Sequence, residues 1–152
     1  MAILTQGPDP HPKVPRYLCP PGAVDTHMHL FGPAADYAYA SNTYYIPADA
    51  LPETHIALQG RLGLSRAVLV SGGAYGTDTR HLAAILTRFP DRYRGIALVP
   101  NDVSASRIEQ LARLGVRGLR FMSASRGGVL PTISESTAAR VAEHGWHVQF
   151  YP

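Results

Sequence analysis

The chain has 152 residues, of which 45% are hydrophobic and 16% charged, with 14 Lys and Arg against 11 Asp and Glu. This composition is that of a globular chain rather than a disordered one, and the length suits a single domain with a sizeable core. The net charge of +3 comes from scattered arginines, so no nucleic-acid surface is expected, and no apolar run approaches the about 20 residues of a membrane span.

The chain begins with a proline-rich segment, residues 1–20, which predicts an extended N-terminal arm ahead of one domain at residues 21–152. The arm lacks the long apolar stretch and the small-residue cleavage site of a signal peptide. Cys19 is the single cysteine, so no internal disulfide can form, and a reducing cytoplasm is the expected location.

Short apolar runs then alternate with helical patterns. The first predicted strand ends at His27, and a long connection rich in Tyr, Ala and Pro follows over residues 30–52. Such a length is typical of a functional loop. The later predicted elements are a helix at 53–62, a strand at 66–71, a helix from Asp78 as N-cap to about Phe89, a strand at 94–99, a helix at 105–114 capped by Ser104, a strand at 116–121, a helix from Ser134 to His144 and a strand at 147–151.

Five strands rich in Val, Leu and Ile, separated by four helices, predict βαβ units and a parallel sheet. Such units build either an open doubly wound sheet or part of a barrel. No glycine-rich phosphate-binding loop follows any strand, so a nucleotide-binding version is not supported. A (β/α)8 barrel needs about 250 residues, and five strands would be five of its eight.

The stretch VDTHMHLFGP places two histidines two positions apart at the end of the first strand. Side chains alternate along a strand, so Asp25, His27 and His29 are expected on one face. The Cα atoms of the two histidines would lie about 6–7 Å apart, close enough for both imidazoles to reach one atom. The carboxyl ends of parallel strands bind ligands in α/β folds, so the pair predicts a functional site.

A metal centre needs three or four ligands, and the sequence shows no third partner for His27 and His29. The other histidines lie elsewhere in the predicted fold. His55 and His81 begin helices and lack an obvious partner, and His144 ends a helix as a solvated cap. His147 begins the last strand, at the end of the sheet away from the pair, and His11 lies in the arm. No cofactor is therefore expected, with zinc held by His27 and His29 as the alternative.

Arginines and tyrosines near the strand ends predict an anion site. Arg120 ends the fourth strand and Arg126 follows in a glycine-rich loop. The planar guanidinium fork suits a carboxylate, and Tyr44, Tyr45 and Tyr151 could donate hydrogen bonds to the same ligand. The expected partner is a small anionic, carboxylated molecule.

Several motifs together resemble one family. DTHMHLFGP, TYYIPADA, AYGTDT, GVRGLRFM with Arg126 beyond it, and GWHVQFY are similar in order and spacing to the 2-pyrone-4,6-dicarboxylate lactonase group of the amidohydrolase superfamily. The resemblance covers nearly the whole chain from about Pro20. It implies an α/β fold of the (β/α)8 TIM-barrel type, here incomplete, and hydrolysis of a lactone or related ester-like bond without a metal.

The same resemblance implies roles for individual residues. His27 and His29 would lie at the reacting carbonyl as catalytic residues. The residues that match positions holding the substrate carboxylates or polarising the substrate are Tyr45, Arg120, Arg126 and Tyr151.

The chain also departs from the family pattern. Gly73 stands where these lactonases usually have a serine, and Tyr75 replaces a nearby histidine, which leaves the exact substrate open. The family's C-terminal half, with another histidine and the aspartate that acts as general base, is missing. The chain is therefore expected to be a truncated form without full turnover, whose open sheet edge could support self-association.

Two other interpretations remain. One is a metal-dependent amidohydrolase or decarboxylase of the same superfamily, with further ligands on the missing half. The other is a non-catalytic module that binds small carboxylates or a partner chain.

Overall fold

A computed structural model describes residues 2–122 and 133–151 of the chain. Its strands are β1 (Ile3–Leu4), β2 (Val24–Met28), β3 (Tyr45–Ile46), β4 (Arg66–Val70), β5 (Tyr93–Leu98), β6 (Val116–Met122) and β7 (His147–Tyr151). Its helices are α1 (Pro52–Leu62), α2 (Arg80–Arg88), α3 (Ala105–Arg113) and α4 (Glu135–Glu143). No helix in this part of the chain is long and apolar enough to cross a membrane.

Within the described residues, five strands form one parallel sheet in the order β2-β4-β5-β6-β7, which is also their order along the chain. A helix lies between each pair of neighbouring strands, as parallel pairing requires a crossover. The predicted alternation of strands and helices is therefore confirmed. Residues from the two outer strands line the same cavity, which shows that the sheet curls.

The hydrophobic core lies between the sheet and the helices. Strand residues such as Leu69 and Leu119 pack there against Leu82 of α2 and against Ile108 and Leu111 of α3, and all five side chains are almost fully buried. The other face of the sheet carries the polar residues discussed below. This division leaves the inner face of the curled sheet available for a site.

Local capping signals position two of the helices. Ser104 accepts a hydrogen bond from the backbone N–H of Arg107 at the start of α3, and Ser134 does the same for Thr137 at the start of α4. Both caps were predicted. The prediction of Asp78 as the N-cap of α2 is wrong by one residue, because its carboxylate accepts the N–H of Arg80 in a turn that precedes the helix.

The strand β2 contains an irregularity that reverses the expected alternation of its side chains. Asp25 pairs with Ala67 of β4 whereas Met28 pairs with Leu69, so three steps along β2 match two along β4. One extra residue in a strand is a β-bulge. Ala67 and Leu69 both belong to the core beneath the helices, so Asp25 lies on the helix side. The expectation that Asp25 shares a face with the two histidines is therefore wrong.

The N-terminal arm contacts the domain at several points along its length. Ile3–Leu4 pairs in parallel with Tyr45–Ile46, and the backbone N–H of Cys19 donates to the carbonyl of Leu62 at 2.8 Å. The connection between β2 and α1 is closed by backbone hydrogen bonds between Phe31 and Ala50. The segment that carries Tyr45 is thus held from both sides over the mouth of the sheet.

Candidate active site

A cavity of about 620 Å³ lies at the carboxyl ends of the parallel strands. Its wall combines the end of β2, the ends of β5, β6 and β7, and the connection that precedes α1. Ligands of α/β folds bind at this edge. The predicted site residues that line the cavity are His27, His29, Tyr45, Arg120 and Tyr151. Arg126, the remaining predicted residue, lies outside the described part of the chain.

His29 is held in one orientation by the sheet itself. Its Nδ1 lies 2.8 Å from the carbonyl oxygen of Val70, and a carbonyl oxygen only accepts hydrogen bonds, so Nδ1 carries a proton. Burial lowers the pKa of His29, the bond to Val70 opposes this in part, and the nearby charge of Arg120 adds a further lowering. The ring is therefore neutral at neutral pH, and its Nε2 is left as a hydrogen-bond acceptor for a ligand.

His27 lies beside His29 and is more exposed. The two rings meet edge to face with 5.1 Å between their centroids. The backbone N–H of His27 donates to the carboxylate of Asp25 at 3.1 Å, which fixes the backbone that leads into His27. The two imidazoles thus enter the cavity together, as the His-x-His spacing predicts.

Arg120 is a buried cation that faces the cavity. Only 7% of its surface is exposed, and its guanidinium carbon lies 5.2 Å from the ring centroid of Tyr151. No Asp or Glu in the described residues forms an ion pair with it. Burial lowers the pKa of Arg120, but a guanidinium still keeps its charge at neutral pH. A buried charge without a counterion is costly, so an anion in the cavity would stabilise this arrangement.

Tyr45 presents a hydroxyl to the same cavity. Its oxygen accepts a hydrogen bond from the backbone N–H of Ala74 at 3.1 Å, so its own proton remains available to a ligand. Burial raises the pKa of Tyr45, which keeps that proton in place. Tyr45 is therefore a neutral donor near the Arg120 cation.

The residues that depart from the family pattern occupy different places. Gly73 lines the cavity, and a Cβ there would lie 3.1 Å from the Met122 side chain and 3.7 Å from the Tyr45 hydroxyl. Tyr75 is buried, and its hydroxyl accepts the N–H of Gly32 at 2.8 Å. Tyr75 therefore supports the β2–α1 connection from behind, whereas Gly73 leaves space beside Tyr45.

Two histidines that lacked an obvious partner in the sequence have partners in the fold. His81 lies 3.2 Å from the carbonyl of Gly32 and stacks on Tyr75 with 4.6 Å between ring centroids. His55 contacts the hydroxyl of Tyr93 and the carboxylate of Asp25. These partners were not obvious in the sequence because they are distant along the chain.

Sequence reasoning missed other polar residues of the cavity wall. Asn42 and Thr43 come from the long connection, and Thr77 and Asn101 follow β4 and β5. The rule that residues after parallel strands meet at one edge would have identified Asn101, which lies three residues after the end of β5. Asn42 and Thr43 carry no such signal.

The described residues supply two nitrogen ligands for a metal. They contain no cluster of three or more His, Cys, Asp and Glu side chains suited to a metal ion. Asp25 lies on the helix side, and the Arg120 cation faces the histidine pair. A metal site would therefore need ligands from outside the described part of the chain, and independence from metal stays a prediction.

Comparison with known proteins identifies relatives. The amidohydrolase family model matches residues 24–152. The 2-pyrone-4,6-dicarboxylate hydrolase of Comamonas testosteroni is 35% identical over 143 residues, 93% of this chain and 47% of that protein. The 4-sulfomuconolactone hydrolase of Hydrogenophaga intermedia is 32% identical over 115 residues, 76% of this chain and 38% of that protein. The chain spans about half the length, or less, of these curated relatives.

Solved structures show the same architecture. A probable 2-pyrone-4,6-dicarboxylic acid hydrolase from Acinetobacter baumannii, crystallised with citric acid bound, superposes with a TM-score of 0.74 at 24% identity. The match covers 82% of this chain and 47% of the other. The curled five-stranded sheet of the described residues corresponds to about half of a (β/α)8 barrel, which confirms the predicted fold class. By its sequence match, the chain belongs to the amidohydrolase family.

Proposed function

We propose that this chain forms part of the active site of a hydrolase that opens small carboxylated lactones. Arg120 is the observation that carries the proposal. It is a buried cation at the wall of a cavity, it has no carboxylate partner among the described residues, and two histidines line the same cavity. A carboxylate of the substrate would supply the missing counterion.

The relatives support this substrate class. A 2-pyrone dicarboxylate is a cyclic ester with two carboxylates, and a sulfomuconolactone is a lactone with a sulfonate. Both names therefore combine a reactive ring ester with anionic groups. The described cavity offers a cation for the anion and imidazoles for the ester.

In the proposed mechanism, Arg120 and the Tyr45 hydroxyl orient the substrate through one of its anionic groups. His27 donates a hydrogen bond to the ester carbonyl and stabilises the oxyanion that develops there. Neutral His29 accepts a hydrogen bond from the attacking water through Nε2, because its Nδ1 proton is already donated to Val70. The proposal therefore gives the two histidines different roles.

The bond changes follow ordinary ester hydrolysis. The water oxygen bonds to the carbonyl carbon while its proton passes to a general base, and the ring C–O bond then breaks. The leaving oxygen takes up a proton and the new acid is released as a carboxylate. From the family resemblance, we expect the base to be an aspartate in the half of the family's barrel that this chain does not match.

A chimera tests the proposal. Residues 24–152 would replace the matching half of the Comamonas testosteroni relative, and the product would be assayed for hydrolysis of 2-pyrone-4,6-dicarboxylate and other carboxylated lactones. We expect turnover, with a large loss of kcat in His27→Ala. A folded chimera that binds the carboxylates without hydrolysing any lactone would instead support a non-catalytic binding module.

Metal-dependent hydrolysis or decarboxylation is the second candidate, and one observation favours it. His29 donates Nδ1–H to a backbone carbonyl and presents Nε2, which is the arrangement common among metal-binding histidines. In that case His27 and His29 would be two of the ligands. Metal analysis of the purified chimera and treatment with a chelator decide between the candidates, because the mechanism proposed first uses no metal and therefore predicts full activity in the chelated enzyme.

A further inference from the structure

The β-bulge of β2 places Asp25 between the His-x-His segment and the helix layer. One carboxylate oxygen, Oδ1, accepts the backbone N–H of His27 at 3.1 Å. The other, Oδ2, lies 3.6 Å from Nε2 of His55 on α1. A single side chain therefore links the backbone of a cavity residue to a helix on the opposite face of the sheet.

His55 continues the chain of contacts to Tyr93 at the start of β5. Its Nδ1 lies 3.0 Å from the Tyr93 hydroxyl, and Tyr93 is 1% exposed. Burial raises the pKa of Tyr93 to about 12, so the phenol keeps its proton. Burial also lowers the pKa of His55, against the raising effect of Asp25, with a further lowering by Arg92. His55 is therefore a neutral imidazole that lies between the phenol of Tyr93 and the carboxylate of Asp25.

Elementary chemistry determines where the protons lie in these contacts. An ionised carboxylate only accepts, so the proton of neutral His55 is best placed on Nε2, facing Asp25. Nδ1 is then an acceptor, and it takes the proton of the Tyr93 hydroxyl. All donors point the same way, from Tyr93 through His55 to Asp25, while the second oxygen of Asp25 receives the N–H of His27.

We infer that Asp25, His55 and Tyr93 form a positioning network that fixes the backbone of His27 and thereby aims the His-x-His pair into the cavity. None of the three residues lines the cavity, so they act through His27 rather than on a substrate. The functional importance of this network rests on the role proposed above for His27. The existence of the network can be tested by structural measurements that need no activity assay.

The first test is the tautomer of His55 in the intact chain, read from long-range ¹H–¹⁵N NMR correlations of the imidazole rings at neutral pH. The network predicts the Nε2–H form for His55 and the Nδ1–H form for His29. Finding His55 in the Nδ1–H form would overturn the inference, and this measurement requires no variant.

Two conservative variants sharpen the test. In Asp25→Asn the side-chain amide can keep its oxygen toward His27 and turn its N–H toward His55, so His55 should change to the Nδ1–H form. In Tyr93→Phe the Asp25 carboxylate remains, so His55 should keep the Nε2–H form and serve as the matched control. An unchanged His55 tautomer in Asp25→Asn would contradict the network.

The link to His27 has its own measurement. In Asp25→Ala the amide proton of His27 should exchange about tenfold faster, which corresponds to one lost hydrogen bond. Asp36→Asn changes another carboxylate, in the exposed part of the β2–α1 connection, and should leave that rate unchanged. Equal exchange rates in Asp25→Ala and the wild type would refute the positioning role.

An activity measurement separates this inference from the proposed function. In the active chimera, Asp25→Ala should lower kcat about 10- to 100-fold with little change in KM, because the reacting groups are displaced while Arg120 still binds the anion. An unchanged kcat would contradict positioning. A chimera without turnover would count against the proposed function alone, since the tautomers and exchange rates decide on the network independently.

Discussion

Nδ1 of His29 and the carbonyl oxygen of Val70 lie 2.8 Å apart, so the end of one strand is bound to the backbone of its neighbour through a cavity side chain. This contact fixes the ring and its tautomer at once. It also ties the protonation of His29 to folding, because a second proton would have to be accommodated in a partly buried ring next to Arg120.

The stability of the chain should therefore depend on pH in a defined direction. Burial lowers the pKa of His29, His55 and His81 below the ordinary value of 6.5. As the pH drops below about 6.5, the unfolded chain binds protons that the folded chain does not, so the free energy of unfolding decreases. Urea denaturation at a series of pH values should show full stability above this value and a decline below it.

A variant isolates the contribution of His29. His29→Asn can still donate a side-chain N–H to Val70 but does not titrate, so the decline in stability should be shallower. His11→Gln, in the exposed arm, serves as the matched control and should behave like the wild type. A free energy of unfolding that stays constant from pH 6.5 to lower values until the carboxylates titrate would contradict this account.

Local features of the fold could be predicted from the sequence. Ser104 and Ser134 begin their helices as expected, because a cap depends on residues within one turn of the chain. The His-x-His spacing correctly placed His27 and His29 at one cavity, and the strand-end rule added Arg120. Each of these inferences depends only on the periodicity of side chains along a strand or helix, or on a short spacing in the sequence. None of them requires knowledge of residues that are distant along the chain.

Features that depend on register and long-range packing could not be predicted. The bulge in β2 is a mismatch with β4 and has no signature within β2 itself, so Asp25 was assigned to the wrong face. His55 meets Tyr93 at 38 residues' separation, and His81 meets Gly32 at 49. These contacts exist because the parallel sheet and its helices bring separate βα units together.

A pair of glycine substitutions tests the packing that positions β7 and hence Tyr151. A Cβ on Gly118 would lie 2.8 Å from the carbonyl oxygen of His147 and 2.9 Å from Ile96, so Gly118→Ala should destabilise the fold by about 1–3 kcal/mol. Gly60 lies in α1 with open space around it, so Gly60→Ala should stabilise by about 0.5–1 kcal/mol. Chemical denaturation measures both, and equal effects of the two substitutions would contradict the packing.

We expect Arg120 to lower the stability of the ligand-free protein while it increases the affinity for an anion. In the absence of a ligand, its buried charge has no counterion among the described residues, so Arg120→Met should be as stable as the wild type or about 1 kcal/mol more stable. Thermal unfolding of the two proteins without ligand measures the difference. A marked loss of stability in the variant would show that Arg120 has a structural partner and is not held for an anion.

We propose that Arg120 and the histidine pair form a site for a carboxylated lactone. Calorimetric titration of the chain and of Arg120→Met with 2-pyrone-4,6-dicarboxylate and with its uncharged dimethyl ester measures this binding. We predict that the wild type binds the dianion about 10- to 100-fold more tightly than the variant does, as expected for a lost charged hydrogen bond, while the ester binds both equally weakly. Equal affinity of the two proteins for the dianion would contradict the account.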